Sequence, residues 1–299
     1  MDELLKELSE YASAECNVPM SAMTTLRIGG AAAYVVYPEN SLALDAIIRI
    51  IRKHNVPFKV FGKGSNMLCS DSRFDGVVIR LDRYMDSCYF EGTRVTAEAG
   101  TSIIALSYEA LKNGLSGLEF ASGIPGTLGG AVYMNAGAYR NSMSEIVDSV
   151  FVYRDGALEW ISADECEFGY RSSIFQKHPD WIIVGVRMNL KEGDPAEIRS
   201  LMDSRRERRI STQPLDKPSA GSVFRNPDEV PAWKLIEGIG YRGRTCGGAK
   251  VSEKHVNFIV NEQHATAEDF LKLVESIQRE VKKTYGIDLH MEVEKFNWD

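Results

Sequence analysis

Two glycine-rich loops constrain this chain more than any other feature of its sequence. The first, Gly62-Lys63-Gly64-Ser65-Asn66, follows the apolar segment Phe58–Phe61, which is typical of a β-strand. The second is Gly123–Ala131, where Pro125 fixes one backbone angle and the glycines carry no side chain that would block a flat ligand. Two such loops in one chain predict a single ligand held between two domains.

The residues after the first loop decide what it can bind. Asp82 lies 82 − 62 = 20 positions beyond Gly62, as in a dinucleotide-binding fold, but Met67 occupies the position of the third glycine. A strand, Val77–Leu81, follows where that fold needs a helix, and no Walker A motif is present. Two alternatives stay open: an anion-binding nest formed by the N–H groups of Gly64–Asn66, or an ordinary glycine-rich turn.

Apolar residues at helical spacing alternate along the chain with shorter apolar segments that favour strands. The predicted helices are residues 2–16, Ser41–His54, Ile103–Asn113, a helix from Asp194-Pro195 to Gln213, the short Pro231–Gly238, and Thr266–Tyr285. Asp155-Gly156 predicts a hairpin with a type I′ turn, and Ile287–Val293 predicts a final strand with Glu292 on its polar face. The predicted fold class is therefore α+β, with domains at residues 1–80, 81–200 and 201–299.

Composition excludes several classes of protein. Of 299 residues, 35 are Lys or Arg and 42 are Asp or Glu; the net charge of −7 argues against a nucleic-acid-binding surface spread over the whole protein. The first residues lack the layout of a signal peptide, and no apolar run approaches the ~20 residues that span a bilayer. Five cysteines without a C-x-x-C pair and five histidines without ligand spacing predict neither a disulfide framework nor a metal site. We expect a cytoplasmic protein.

Eight segments, taken in order along the chain, match one enzyme family. They are Thr24–Gly30, Gly62–Leu68, Gly123–Ala131, Met134–Ala138, Tyr170–Phe175, Ala220–Pro227, Val251–His255 and Glu292-Val293. In this order they resemble the UDP-N-acetylenolpyruvoylglucosamine reductases, also called UDP-N-acetylmuramate dehydrogenases, of bacterial cell-wall synthesis. Only 222 − 171 = 51 positions separate Arg171 from Ser222. The chain therefore resembles the shorter form of the family, without the extra segment that covers the substrate.

The resemblance implies a two-domain FAD-binding module of the PCMH or vanillyl-alcohol-oxidase type, followed by an α+β substrate-binding domain. It implies that NADPH reduces bound FAD, which passes hydride to UDP-N-acetylglucosamine enolpyruvate and yields UDP-N-acetylmuramate. The partners are then the UDP-sugar substrate and NADPH, with no nucleic acid and no membrane, and we expect a monomer. The residues implied to hold FAD are Gly62, Lys63, Gly64, Ser65, Asn66, Met67, Leu68, Gly126, Thr127, Gly129, Gly130, Asn135, Gly137 and Ala138.

The reaction that the resemblance implies sets its own requirements. Hydride addition to the terminal carbon of the enol ether builds negative charge on C2 and on its carboxylate, so a fixed cation and then a proton are needed. By resemblance, Arg171 is the cation, Ser222 donates the proton, and Glu292 stabilises or relays it. Tyr170 and Asn226 are implied to contact the substrate. A serine hydroxyl is a poor acid, so Ser222 needs an assisting group that the sequence does not identify.

Two rival functions stay open from the residues alone. One keeps the flavin-binding fold but makes the chain an oxidase or dehydrogenase of another small substrate; the presence of Arg171, Ser222 and Glu292 argues against it. The other is a nucleotide-binding regulatory or scaffold protein that uses the glycine loops and the basic run Arg205–Arg209. That run also suits the last turn of a helix, where cations are favoured in any protein.

Overall fold

In the computed structural model, which describes residues 3–298, the chain divides into two units, each assembled from three stretches. The first unit holds the described residues up to Cys16 together with Tyr34–Lys63 and Asp75–Glu207. The second holds Asn17–Ala33, Gly64–Phe74 and the described residues from Arg208 onward. Each unit has its own apolar core, as a separately packed domain requires. The three-domain division predicted from the sequence, with boundaries near residues 80 and 200, stays a prediction.

Seven α-helices lie within residues 3–298, and local signals set their ends. They are α1 (Glu3–Ser9), α2 (Ser41–Lys53), α3 (Ile103–Lys112), α4 (Leu128–Tyr133), α5 (Pro195–Thr212), α6 (Ala232–Gly238) and α7 (Ala267–Tyr285). Helix α2 begins where Asn40 Oδ1 accepts a hydrogen bond from the Ala43 N–H (2.9 Å). Helix α7 begins at a capping box of Thr266 and Asp269 and ends at Gly286, whose φ of 71° side-chain-bearing residues rarely adopt.

Six sheets are found in the same residues. Their strands are β1 (Ala12–Pro19), β2 (Ala31–Pro38), β3 (Phe58–Phe61), β4 (Met67–Cys69), β5 (Phe74–Arg80), β6 (Cys88–Glu91), β7 (Arg94–Glu98), β8 (Leu115–Ser116), β9 (Gly137–Ala138), β10 (Asn141–Ser142), β11 (Val147–Arg154), β12 (Ala157–Ser162), β13 (Ile182–Asn189), β14 (Lys191–Glu192), β15 (Thr245–Cys246), β16 (Ala249–Val251), β17 (Ile259–Asn261) and β18 (Glu294–Phe296). The largest sheet is antiparallel, in the order β12-β11-β13-β7-β6. A four-stranded sheet has the order β1-β2-β5-β3, and its β3 and β5 are parallel.

The predicted hairpin in the middle of the chain is confirmed. Strands β11 and β12 pair with Arg154 opposite Ala157, so only Asp155 and Gly156 form the turn. Both turn residues have positive φ, 52° and 84°, as a type I′ turn requires. The mixture of helices with mainly antiparallel sheets confirms the predicted α+β class.

Two predicted elements are wrong. The helix expected over residues 2–16 ends at Ser9 and is followed by strand β1, while position 2 lies outside the described residues. The strand expected over Ile287–Val293 is reduced to a single bridge, between Phe224 and Met291, and β18 begins only after it. The first helix is cut short because Ala12–Pro19 pairs as an edge strand with β2, the next strand along the chain. The alternation over Ile287–Val293 favours a strand, but only Met291 pairs with another segment there.

Candidate functional site

The two glycine loops meet within the first unit. A Cβ atom on Gly62 would lie 2.4 Å from Thr127 Oγ1, so only glycine lets the first loop pack against the second. Thr127 also begins helix α4, because its Oγ1 accepts a hydrogen bond from the Gly130 N–H (3.3 Å). The structure thus brings the two predicted ligand loops together at Gly62 and Thr127.

Gly64 shapes the rest of the first loop, where the chain passes from the first unit to the second. Its φ is 60°, and a Cβ there would lie 2.4 Å from the Met23 carbonyl oxygen. The Thr25 N–H donates a hydrogen bond to the Gly64 carbonyl oxygen (3.3 Å). Within residues 3–298, the main-chain N–H groups of Gly64 and Ser65 donate to no protein acceptor. They are therefore available to an anion.

Lys63, next to this turn, is bound to a carboxylate that it shares with an arginine. Lys63 Nζ lies 2.9 Å from Asp82 Oδ2, and Arg80 Nη2 lies 2.6 Å from the same oxygen. Burial alone would raise the pKa of Asp82, but hydrogen bonds from Arg80 and Lys63 outweigh it and hold that pKa below its ordinary value of 3.8. One carboxylate between two cations leaves positive charge beside the loop, which favours an anionic ligand.

Asn135 ties the end of the second loop to another segment of the first unit. It is buried; its Nδ2 donates to the Gly169 carbonyl oxygen (2.8 Å) and its Oδ1 accepts from the Ser144 N–H (2.9 Å). Its φ of 40° is left-handed, a conformation that asparagine adopts more readily than most residues. The segment Met134–Ala138 is thereby joined to the turn that carries Arg171.

Arg171 lies in a two-residue turn between Gly169 and Ser172, whose N–H and C=O groups bind each other at 3.0 and 3.2 Å. Its φ of 53° is left-handed, which costs a residue other than glycine about 1 kcal/mol. Its Nη2 donates to the Gly137 carbonyl oxygen (2.7 Å), and its guanidinium carbon is 5.1 Å from the centre of the Tyr170 ring. Strain of this kind persists only where neighbouring contacts enforce it, and it concentrates at functional sites.

Two more side chains fasten the same turn. Ser173 Oγ donates to the Tyr133 carbonyl oxygen (2.6 Å). Gln176 Nε2 donates to the carbonyl oxygens of Arg171 (3.2 Å) and Tyr133 (3.4 Å). The predicted arginine and the predicted FAD segment after helix α4 therefore share one hydrogen-bonded network in the first unit.

Ser222 and Glu292 lie on paired segments of the second unit. The Glu292 N–H donates to the Val223 carbonyl oxygen (2.7 Å), and the Arg225 N–H donates to the His290 carbonyl oxygen (2.9 Å). These bonds form a short antiparallel pairing that places Glu292 opposite Val223, the residue after Ser222. Of the three predicted catalytic residues, the structure thus brings the segments of two together in this unit, and the third belongs to the first unit.

The first glycine loop is also bonded to the Glu292 segment, within the second unit. Asn66 Nδ2 donates to the Glu292 carbonyl oxygen (3.2 Å), and the Glu294 N–H donates to the Asn66 carbonyl oxygen (2.9 Å). Beyond Asn66, β4 runs parallel to β18 with Met67 opposite Glu294 and Leu68 one step further along. The sequence carries no signal for this contact, because Asn66 and Glu292 are 226 positions apart.

The two residues predicted to contact the substrate are both exposed, but they differ in their hydrogen bonds within the protein. Tyr170 is 57% exposed at the corner of its turn. Asn226 is exposed too, but its Oδ1 accepts a hydrogen bond from the Ala232 N–H (3.1 Å) at the start of helix α6. The basic run Arg205–Arg209 lies in helix α5, as predicted. Between residues 3 and 298, no three His, Cys, Asp or Glu residues are grouped to hold a metal ion, and no helix is long and apolar enough to cross a membrane.

Two family models match this chain. The model described as UDP-N-acetylenolpyruvoylglucosamine reductase, C-terminal domain, matches residues 213–296, which include Ser222 and Glu292. The model described as FAD binding domain matches residues 32–162, which include both glycine loops.

Whole proteins match over almost their full length. The chain is 44% identical to UDP-N-acetylenolpyruvoylglucosamine reductase of Anoxybacillus flavithermus and 41% identical to that of Bacillus subtilis, over 98% of each chain. Among solved structures, UDP-N-acetylenolpyruvylglucosamine reductase from Thermus caldophilus has a TM-score of 0.81 at 35% identity, covering 95% of this chain and 98% of that one. The predicted FAD-binding fold of the PCMH type is confirmed.

Proposed function

Because this chain belongs to the UDP-N-acetylenolpyruvoylglucosamine reductase family, we propose that it reduces UDP-N-acetylglucosamine enolpyruvate to UDP-N-acetylmuramate with NADPH as the source of hydride. The reaction adds a hydride to the terminal carbon of the enolpyruvyl double bond and a proton to C2. The protein must therefore stabilise negative charge and then deliver a proton at neighbouring atoms. The observation that carries the proposal is the pairing of the Ser222 segment with the Glu292 segment in the second unit.

The residues of the glycine loops fit FAD. When bound, FAD supplies the hydride that it takes from NADPH. In the part of the chain that the structure describes, the N–H groups of Gly64 and Ser65 have no protein acceptor, and they lie beside the charged Lys63, which supports a phosphate site there. The other residues proposed to hold the cofactor are Gly62, Asn66, Met67, Leu68, Gly126, Thr127, Gly129, Gly130, Asn135, Gly137 and Ala138.

Arg171 acts as the fixed cation. A guanidinium stays charged over the whole working pH range, and its planar fork matches a carboxylate. The strained turn and the Nη2 bond to the Gly137 carbonyl oxygen hold it in place before substrate arrives. Charge that develops on the substrate carboxylate and C2 then meets a donor that does not have to reorganise.

Ser222 delivers the proton to C2, and Glu292 stabilises or relays it. Support comes from the main-chain bond between Glu292 and Val223, which keeps the two segments in register. A serine hydroxyl is intrinsically a poor acid, so proton delivery depends on how accurately the hydroxyl is placed. Tyr170 and Asn226 contact the UDP-sugar. The protein works as a monomer in the cytoplasm, with no nucleic acid or membrane partner.

Steady-state NADPH oxidation by the FAD-loaded protein tests this function. We expect oxidation to depend on added UDP-N-acetylglucosamine enolpyruvate, with UDP-N-acetylmuramate formed in proportion to the NADPH consumed. NADPH oxidation that the enolpyruvyl substrate leaves unchanged contradicts the proposal and favours a flavoprotein with another substrate.

A further inference from the structure

We infer that Asn257 is a positioning residue for Ser222, because its side chain holds the segment that carries the proton-donating hydroxyl. The inference rests on the proposed function, in which Ser222 gives a proton to the substrate. Asn257 is a buried amide, with 4% of its surface exposed, and it is not among the residues proposed to touch FAD or substrate.

Both polar atoms of the Asn257 side chain bind the main chain of one residue. Asn257 Oδ1 accepts a hydrogen bond from the Phe224 N–H (3.0 Å), and Nδ2 donates to the Phe224 carbonyl oxygen (2.9 Å). The Asn257 carbonyl oxygen accepts from the Val223 N–H (2.8 Å). The side chain and carbonyl group of Asn257 thus make the hydrogen bonds to Val223 and Phe224 that a neighbouring β-strand would otherwise make.

The opposite edge of the same segment is bound to the chain that carries Glu292. Val223 accepts from the Glu292 N–H (2.7 Å), and Arg225 donates to His290 (2.9 Å). Residues 223–225 therefore lie between Asn257 on one side and residues 290–292 on the other. Without the amide, the buried N–H and C=O groups of Phe224 would lose their partners, and the segment would have to move to satisfy them.

The residue before Ser222 offers no comparable restraint. Gly221 has a φ of 77°, and a Cβ there would have no atom within 4 Å. Toward the amino terminus, the nearest bonded residue is Ser219, which bridges to Val260 and accepts a hydrogen bond from Thr25 Oγ1 (2.7 Å). The bonds nearest to the hydroxyl along the chain are therefore those of Val223 and Phe224, to Asn257 and to the Glu292 N–H. A catalytic group displaced by about 1 Å loses on the order of 10²-fold in rate.

The Val251–His255 motif, which had no function assigned to it, builds the turn that presents Asn257. Ser252 Oγ accepts hydrogen bonds from the N–H groups of Lys254 (3.1 Å) and His255 (3.3 Å). His255 Nδ1 then accepts from the Asn257 N–H (3.3 Å). The motif therefore acts on the reaction through Asn257 and Ser222.

Single-turnover kinetics of FAD-loaded variants test the inference, with Asn261→Ala as the matched control. Asn261 is an amide of the same unit whose side chain makes three hydrogen bonds, one more than the side chain of Asn257. They go to Leu26, Arg27 and Ala265, and none of them to residues 222–225. We expect Asn257→Ala to be reduced by NADPH within about twofold of the parent rate, and to be reoxidised by the enolpyruvyl substrate on the order of 10²-fold more slowly. Asn261→Ala should keep both rates within about twofold.

Two further measurements separate positioning from general damage. Added to Ser222→Ala, the Asn257→Ala change should slow reoxidation no further, because a residue that acts through the hydroxyl has nothing left to place. Amide hydrogen exchange at Phe224 should be faster in Asn257→Ala than in the parent. If Asn257→Ala does not fold, Asn257→Asp keeps the shape and the acceptor for the Phe224 N–H, and should lose reoxidation selectively but to a smaller extent.

Several outcomes overturn the inference. They are equal losses in both half-reactions, the same loss in Asn261→Ala, an additional loss in the double variant, or unchanged exchange at Phe224. A parent protein that does not turn over the enolpyruvyl substrate rejects the proposed function and this inference together. A parent that does, with Asn257 variants that reoxidise normally, rejects the inference alone.

Discussion

The regions that carry Arg171 and Ser222 hold their functional groups by opposite means. Arg171 sits at a strained, left-handed turn that two main-chain bonds close, and side chains, chiefly Asn135 and Gln176, fasten this turn to the rest of the unit. Ser222 adjoins a segment with main-chain bonds on both edges, to residues 290–292 and to the Asn257 carbonyl oxygen, and with one buried side-chain amide, that of Asn257. In the first region, several side chains that mutation can remove hold Arg171 in place. In the second region, the position of Ser222 depends on main-chain pairing, which side-chain substitution barely changes, and on the Asn257 side chain.

The largest effect should follow from replacing the guanidinium itself. Arg171→Lys should lower kcat/KM on the order of 10² to 10³-fold, because a point charge cannot reproduce a two-pronged contact with a carboxylate. Arg187→Lys is the matched control: Arg187 lies in the same unit, on strand β13, with its guanidinium 3.8 Å from the centre of the Trp160 ring. A lysine variant with near-parental turnover would show that the strained turn serves something other than a bidentate cation.

A smaller loss should follow from removing one of the side chains that fasten the turn. Asn135→Ala leaves the Gly169 carbonyl and the Ser144 N–H without their partner and places alanine at a positive φ. We expect turnover to fall about tenfold, since the turn is still held by its remaining bonds. The control is Asn141→Ala, because the Asn141 amide binds only exposed Glu145 in that region. Parental turnover in Asn135→Ala would mean that the side chains do not position Arg171.

Stability, rather than turnover, should report on the Lys63, Asp82 and Arg80 cluster beside the first loop. Asp82→Asn leaves the largely buried Arg80 without its carboxylate and should lower the free energy of unfolding by about 3 kcal/mol in urea titrations. Exposed Asp86→Asn should change it by less than about 0.5 kcal/mol. Because the folded pKa of Asp82 lies below 3.8, its contribution is complete above pH 3.8 and is lost as the pH falls through the folded value. A parent that loses no more stability in acid than Asp82→Asn contradicts this assignment.

The smallest effect should come from His255, in the turn that presents Asn257. Burial, assisted by Arg242, lowers the pKa of His255 below its ordinary 6.5, so the unfolded chain takes up the proton more readily than the folded one. Its stabilising effect is complete above pH 6.5 and is lost as the pH falls from there through the folded pKa. Urea titrations at pH about 7.5 and about 5.5 should show a decrease in the parent that His255→Gln reduces. An identical decrease in both proteins would contradict the assignment.

Local signals were enough to predict much of the fold. Asn40 marks the start of a helix, Asp155-Gly156 a hairpin, and Thr266 and Gly286 the two ends of helix α7, because caps and tight turns depend only on neighbouring residues. The order of the motifs was enough to identify the family. Strand β1 was missed because its pairing with β2 outweighed the local periodicity. Strand β18 was missed because its partner, β4, lies in a distant part of the sequence.

The contacts of the positioning asparagines could not be predicted from the sequence, for a different reason. Asn66 reaches Glu292 across 226 positions, and Asn257 reaches Phe224 across 33. Each of these side-chain amides binds main-chain groups, which every residue has. The type of the partner residue therefore gives no sequence signal for the contact. Asn135 is similar, since its partners are a carbonyl and an N–H. These three asparagines are where the structure adds most to the sequence.

In the proposed mechanism, Ser222 supplies the proton to C2 and is not needed for the uptake of hydride. The most direct test is the pair of half-reactions in FAD-loaded Ser222→Ala, measured in single turnovers. We expect reduction by NADPH at close to the parental rate, and reoxidation by UDP-N-acetylglucosamine enolpyruvate slowed on the order of 10² to 10⁴-fold. Equal losses in both half-reactions, or reoxidation at the parental rate, would contradict the account.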